Sequence, residues 1–374
     1  MSARSVLLER HLGGVCASLL MVSGCGGGGG SSSAGGGAAN PNPPVTATPS
    51  PSPSPSPSPS PSPSPSTAVP PSQVAAQVGP CVNMANHLEA PKEGDWGRPI
   101  REDDFAEIAR VGFKTVRLPV RWSAHAGGGP PHTIDAAFLD RVEHVVALAR
   151  ASGLRVILNM QHYDELFVDP NRESSRFTAM WRQVGTRFRT ADDMVWFELI
   201  NEPHDALNDT NLPIILLPAL AAVRETNPTR WVVIGGKNYS NVDSLASLAL
   251  PPDERIIASF HYYDPYEFTH QGASFVINPP PVGRAYPVGN DRTRLTADVA
   301  KVRSFIEGRK VPVFMGEYGA YDGIALEQRA VYYKAVHDAF AAAHVDGCVW
   351  GYTNSFAFRV GGSWQQPLLS AIGL

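Results

Sequence analysis

The sequence predicts an α/β protein: a closed (β/α)8 TIM barrel preceded by an exported leader and a structureless tether. Three observations carry this. From about Val78 onward, eight short apolar runs alternate with longer amphipathic stretches. The runs are apolar on successive residues, as strands buried on both faces of a parallel sheet are. And the first run leads into NMANHLEAPKEGDWG, which lacks the G-x-G-x-x-G turn of an open, doubly wound nucleotide-binding sheet.

The chain has 374 residues, 34 of them proline and 34 glycine, but many of these crowd into the first eighty positions, so the average composition describes neither part. Residues 1–24 read as a lipoprotein-type signal peptide: Arg4 and Arg10 precede an apolar stretch, Leu12 to Val22, too short to span a bilayer. The end of that stretch, Val22-Ser23-Gly24-Cys25, resembles a lipobox. That resemblance makes Cys25 the expected lipidation site and a lipid anchor the only expected membrane contact. Residues 25–77 form a Gly/Ser and then Pro-Ser linker with nothing to bury, a tether about 50 Å or more in reach.

Residues 78–374 form the expected catalytic domain. Its strand-like runs are CVNMAN (81–86), KTVRLPV (114–120), RVILNM (155–160), MVWFELI (194–200), RWVVIGG (230–236), RIIASFHYY (255–263), VPVFMG (311–316) and GCVWGY (347–352). Between them lie helix-like stretches such as REDDFAEIARVG, FLDRVEHVVALARASG, TADVAKVRSFIEG and ALEQRAVYYKAVHDAFAAA. A formal charge of -4 argues against nucleic acid as a partner, and a monomer is expected. With Cys16 in the leader and Cys25 at the lipobox, Cys81 and Cys348 remain, in the first and last runs. Closure of the barrel makes them neighbours, either bonded or as buried thiols, and parallel-strand geometry tips the reading to free thiols.

In such a barrel the chemistry sits where strands end at their C-terminal edge. The residues there are Asn86 and Glu89, Arg117 and Arg121, His162, Asn201 and Glu202, His261 and Tyr263, Glu317, and Trp350. Glu202 and Glu317 close runs three strands apart and should face each other across the mouth, the arrangement that two-carboxylate glycoside hydrolysis requires. No H-x-H pair occurs among the eleven histidines, and G-x-S-x-G and H-E-x-x-H are absent, so neither a metal site nor a catalytic cofactor is expected.

The segments NMANHLEAPKEGDWG, GFKTVRLPVRWSAH, FELINEPHD, ASFHYYDPYEFTHQGA and VFMGEYGAY resemble, in order, glycoside hydrolase family 5, and particularly its bacterial endoglucanases of the NALEAP type. The resemblance implies a retaining endo-β-1,4-glucanase acting on polysaccharide. Glu202 is then the acid/base, Glu317 the nucleophile, and Arg117 and Tyr263 the partners that keep Glu317 ionised and oriented. Asn201 would bind the sugar 2-hydroxyl, His162 would line the sugar site, His261 would attend Glu202, and Trp350 would form an apolar floor. Asn86 and Glu89 would bind more distant glucose units. Two positions depart from the family's pattern: Gln161 stands where many relatives have the first of two histidines, and Gly351 where they have a glutamate. With fewer polar partners there, mannan should be a poor substrate. The rival readings are a β-mannanase on the same scaffold and a non-catalytic glycan-binding lipoprotein.

Overall fold

The computed structural model describes residues 77–374 together with Val74; the leader, the tether and Cys25 lie outside the described residues. Eight parallel strands close in sequence order: β1 (Cys81–Asn83), β2 (Thr115–Leu118), β3 (Arg155–Asn159), β4 (Val195–Glu198), β5 (Val232–Gly235), β6 (Ile256–Tyr262), β7 (Val313–Tyr318) and β8 (Gly347–Val349), with β8 pairing back onto β1. Most strands are shorter than the apolar runs because each run continues into the loop at the mouth. β7 differs: it extends to Tyr318, so Glu317 lies within the strand and not beyond its end.

Side-chain alternation divides each strand between two cores. Val82, Val116, Val156, Leu158, Phe197, Ile234, Phe260 and Met315 face outward into the main core against the helices. Those helices include α1 (Asp104–Arg110), α2 (Ala136–Ala151), α3 (Pro170–Arg187), α4 (Leu212–Arg224), α5 (Asp291–Arg309) and α6 (Leu326–Ala341). The alternate positions Cys81, Ile157, Trp196, Val233, Ile257, Phe314 and Cys348 pack inside the barrel, closed below by Val74 and Val78. This apolar plug makes the barrel a packed core and leaves chemistry to the layer above it.

The expectation of free thiols is overturned, because Cys81 and Cys348 form a disulfide. They are direct register partners across β1 and β8, with Cα atoms 4.2 Å apart and both side chains inside the plug. The bond ties the first strand to the last across 267 residues of sequence, so it restricts the unfolded chain strongly. Replacing both cysteines by alanine should cost about 2–5 kcal/mol and lower the Tm. Peptide mapping without reductant should recover the two cysteine peptides linked; separate alkylated peptides would contradict the bond.

Candidate active site

Above the plug the inward positions become polar, and Arg117 organises them. Its side chain is fully buried, and all five of its N–H groups are used. Nε and Nη2 donate to the two oxygens of Glu198 at 2.6 and 2.7 Å, and Nη2 also donates to Asn201 Oδ1 at 2.7 Å. Nη1 donates to Asn83 Oδ1 at 2.9 Å and to Glu317 Oε1 at 2.8 Å. Burial works against the guanidinium charge, but Glu198 and then Glu317 more than restore it, so its pKa stands above the usual arginine value.

Glu317 owes its orientation to an irregularity in β7. Phe260 pairs with Met315 while His261 pairs with Glu317, so Gly316 is passed over. Strict alternation from inward Phe314 would turn Glu317 outward; the bulge brings it in. Glycine is needed at the bulge, since a Cβ on Gly316 would stand 2.7 Å from Ser259 Oγ and 2.9 Å from His261 Nε2. Once inside, Glu317 accepts from Arg117 on one oxygen and from the Tyr263 hydroxyl at 2.9 Å on the other. Burial raises the Tyr263 pKa well above its usual value, and the nearby Glu317 adds to the effect, so the phenol stays a donor.

Glu202 follows β4 by four residues and takes a left-handed backbone conformation (φ 49°), rare for a residue with a side chain and concentrated at functional sites. The segment around it is held from several sides. Asn201 N–H donates to Met160 O, Tyr239 N–H donates to Pro203 O, and His204 Nδ1 bonds the Glu202 carbonyl at 2.6 Å. His261 Nδ1 lies 2.7 Å from Glu202 Oε1 and 3.6 Å from Glu317 Oε2. The ligand atoms of Glu202, His261 and Glu317 all fall within 4.8 Å of one another. The Glu202 side chain keeps 24% of its surface open to the mouth against 5% for Glu317.

Burial pushes the Glu202 pKa up to about 7, only partly opposed by the Arg117 charge. Glu317 is raised by burial too, and by the nearby Glu202, but Arg117 and the Tyr263 hydroxyl pull the other way. The partners decide the order: Arg117 and the Tyr263 hydroxyl both donate to Glu317, whereas Glu202 has only Asn201 at 3.4 Å as an amide donor and a neutral His261 whose Nδ1, at 2.7 Å, can accept its proton. Glu317 is therefore the carboxylate that ionises first, and Glu202 the one that keeps its proton. Burial pushes His261 down to about 4, leaving it neutral between the two. The same three residues converge closely enough to ligate a metal, but a guanidinium 2.8 Å from Glu317 repels a cation there.

The remaining expected residues ring the mouth without touching the glutamate pair. His162 packs edge-on to Trp96 at 5.5 Å, its pKa pushed down to about 4 by burial. Gln161 is buried and Trp350 half-buried at the end of β8. Glu89 accepts from the backbone N–H groups of Asn86 and His87, and burial pushes it up to about 7. Arg121 turns away to Asp164 at 3.2 Å. Gly351 packs tightly, as a Cβ there would come 2.7 Å from Ala85 Cβ, so a glutamate cannot be added without moving the first loop. Two central groups were not anticipated: Glu198 and Asn83, which together accept three of Arg117's five N–H groups, while Asn83 Nδ2 donates to the Gly316 carbonyl at 3.1 Å. Their signal was a charge or amide inside an apolar run, at the inward parity of Trp196 and Cys81.

The profile of the cellulase family, glycosyl hydrolase family 5, matches residues 77–355. Endoglucanase H of Acetivibrio thermocellus is 34% identical over 289 residues, which cover 76% of this chain and 31% of that protein. The chain thus spans about a third of that relative's length. A crystal structure of a hyperthermophilic endo-β-1,4-glucanase with substrate superposes with a TM-score of 0.80 at 35% identity, covering 82% of this chain and all of that one. Thermotoga maritima Cel5A with mannotriose superposes with a TM-score of 0.78 at 32% identity, covering 81% and 99%. The match to the family profile runs through every strand of the barrel and both glutamates at its mouth, and the chain belongs to glycoside hydrolase family 5.

Proposed function

We propose that this protein is a retaining endo-β-1,4-glucanase. The observation that carries the reading is the approach of the Glu202 and Glu317 carboxylates to within 4.8 Å, each with a different set of partners. Retaining enzymes hold their carboxyls about 5–5.5 Å apart, and inverting ones about 6.5–9.5 Å apart to admit a water. Glu317, ionised against Arg117 and Tyr263, attacks the anomeric carbon as protonated Glu202 gives its proton to the departing glycosidic oxygen. The resulting glycosyl ester is then opened by water, whose proton returns to Glu202. Asn201, fixed by Arg117, presents its amide beside Glu202 for the 2-hydroxyl. The glucan assignment is supported by relatives described as endoglucanases.

The two glutamates should fail differently. Glu317→Ala should abolish turnover of every substrate, whereas Glu202→Ala should retain first-step chemistry on aryl glycosides whose leaving group needs no proton. The first step needs protonated Glu202, so in the parent kcat/KM should fall as pH rises through about 7. That limb should vanish in Glu202→Ala on activated substrates. Equal losses on activated and unactivated substrates would contradict the assignment.

Gln161 and Gly351 leave few polar partners for an axial 2-hydroxyl, so kcat/KM on mixed-linkage β-glucan should exceed that on unsubstituted mannan. A mannan value equal to or above the glucan value would favour the mannanase reading, toward which the mannotriose complex of Thermotoga maritima Cel5A points.

The protein is further proposed to be exported and held at the cell envelope by lipid on Cys25. Cys25→Ala should release it from membranes with unchanged kinetics; unaltered membrane partition would defeat the anchor.

A further inference from the structure

Beside the mouth, between the loop after β1 and the segment after β8, lies an open cavity of about 480 Å³, within the size range of ligand sites. Its charged lining is entirely cationic: Arg98, Arg101 and Arg359, with Asn354 and the Gly361-Gly362 turn completing the wall. Behind it, Asp104 is buried and satisfies only part of this charge. It takes a two-pronged pair from Arg98 at 2.7 and 2.6 Å, accepts from the Tyr352 hydroxyl at 2.9 Å, and lies 3.7 Å from Arg359 Nη1. Glu102 turns away to His144, Asp103 adds one more negative charge near Arg98, and Glu107, which feels Arg359, is paired with Arg110 at 2.7 Å. Three guanidinium groups therefore exceed the acids available to them.

The donors are also unspent. Arg359 uses Nε on Gly362 O and Nη1 on Tyr352 Oη, which leaves Nη2. The Arg101 backbone donates to Asp104, but its exposed guanidinium makes no hydrogen bond or ion pair among the described residues. Gly361 and Gly362 keep the wall bare, since a Cβ at either would meet nothing within 4 Å.

Contacts link the cavity wall to the catalytic mouth. Asn354 donates to the Trp96 carbonyl at 2.9 Å, and the Trp96 ring packs against His162. Asn354 itself lies four residues beyond Trp350. A sugar chain that left the mouth over the segments after β1 and β8 would run past the arginines. Neutral hydroxyls do not call for three guanidinium groups, whereas a planar carboxylate matches their fork.

We propose that this cavity is an accessory subsite for a carboxylate borne on the polysaccharide, as on a uronate or carboxymethyl-substituted glucan. The proposal rests on the glucanase reading and deepens it. The test compares kcat/KM on carboxymethylcellulose and on uncharged hydroxyethylcellulose at low salt for the parent, Arg101→Ala and Arg101→Glu. Because Arg101 lacks a partner, neither change should disturb the fold, and unchanged Tm values would verify that.

Arg101→Ala should lower the charged-substrate value by about threefold, the scale of one exposed ion pair. Arg101→Glu should lower it further. Hydroxyethylcellulose turnover should stay constant, and the difference should fade at high salt. An unchanged ratio of the two substrates in Arg101→Glu would overturn the proposal. So would binding of inorganic phosphate at the cavity with no effect of Arg101→Glu on that ratio, which would mark a free-anion site. Failure of the parent on both substrates would instead sink the glucanase reading. Calorimetry with D-glucuronate would then decide the cavity: binding abolished by Arg101→Glu supports it, and no binding to the parent refutes it.

Discussion

A single guanidinium inside the barrel sets the terms for everything at its mouth. Burying Arg117 is tolerable only because five acceptors meet its five donors, and removing any one would leave a charge or a polar group stranded in low dielectric. Its fork is planar and rigid, so fixing it on Glu198 and Asn83 also fixes where Glu317 and Asn201 must stand. Glu198 supplies both oxygens from one side, leaving Nη1 for Glu317 on the other. Glu317, the proposed nucleophile, is thus positioned by strands β1, β2 and β4 as much as by its own strand.

The division of labour between the glutamates follows from that arrangement, and it carries a cost in stability. Burial raises both Glu202 and Glu89 from 4.5 to about 7, so the folded protein holds their protons more tightly than the unfolded chain. Their contribution to stability is complete below the ordinary carboxylate range and is lost as pH rises through about 7. Above that, the fold retains two buried charges that solvent would prefer. A proton donor at neutral pH requires this destabilised environment, a trade that active sites commonly make.

Much of this was legible in the sequence. Eight apolar runs sufficed for a closed barrel, because strands covered on both faces have little choice of residue. Six site residues, Arg117, Asn201, Glu202, His261, Tyr263 and Glu317, do come together in one bonded cluster. The failures have physical causes. Glu198 was passed over because a charge in a buried strand is readable only once its partner is known to share the inward face. The bulge at Gly316 breaks the period on which strand reading depends, so the apolar run was ended at Gly316 although β7 continues through Glu317 to Tyr318. The disulfide was misjudged because pattern gives the neighbourhood of Cys81 and Cys348 but not the close approach of their Cα atoms in register. Helix α4 shows no helical stripe in its sequence, because LPIILLPALAAVR, with Pro218 inside it, is apolar almost throughout.

The roles of the two glutamates rest on the order in which their carboxyls ionise. It can be measured directly by carbon-13 NMR titration of the glutamate carboxyls, with Glu202, Glu317 and Glu89 assigned from their single glutamine variants. Glu317 should ionise first, while Glu202 keeps its proton until the pH approaches about 7. Ionisation of Glu202 in the ordinary carboxylate range, or of Glu317 after it, would contradict the role assigned to Arg117.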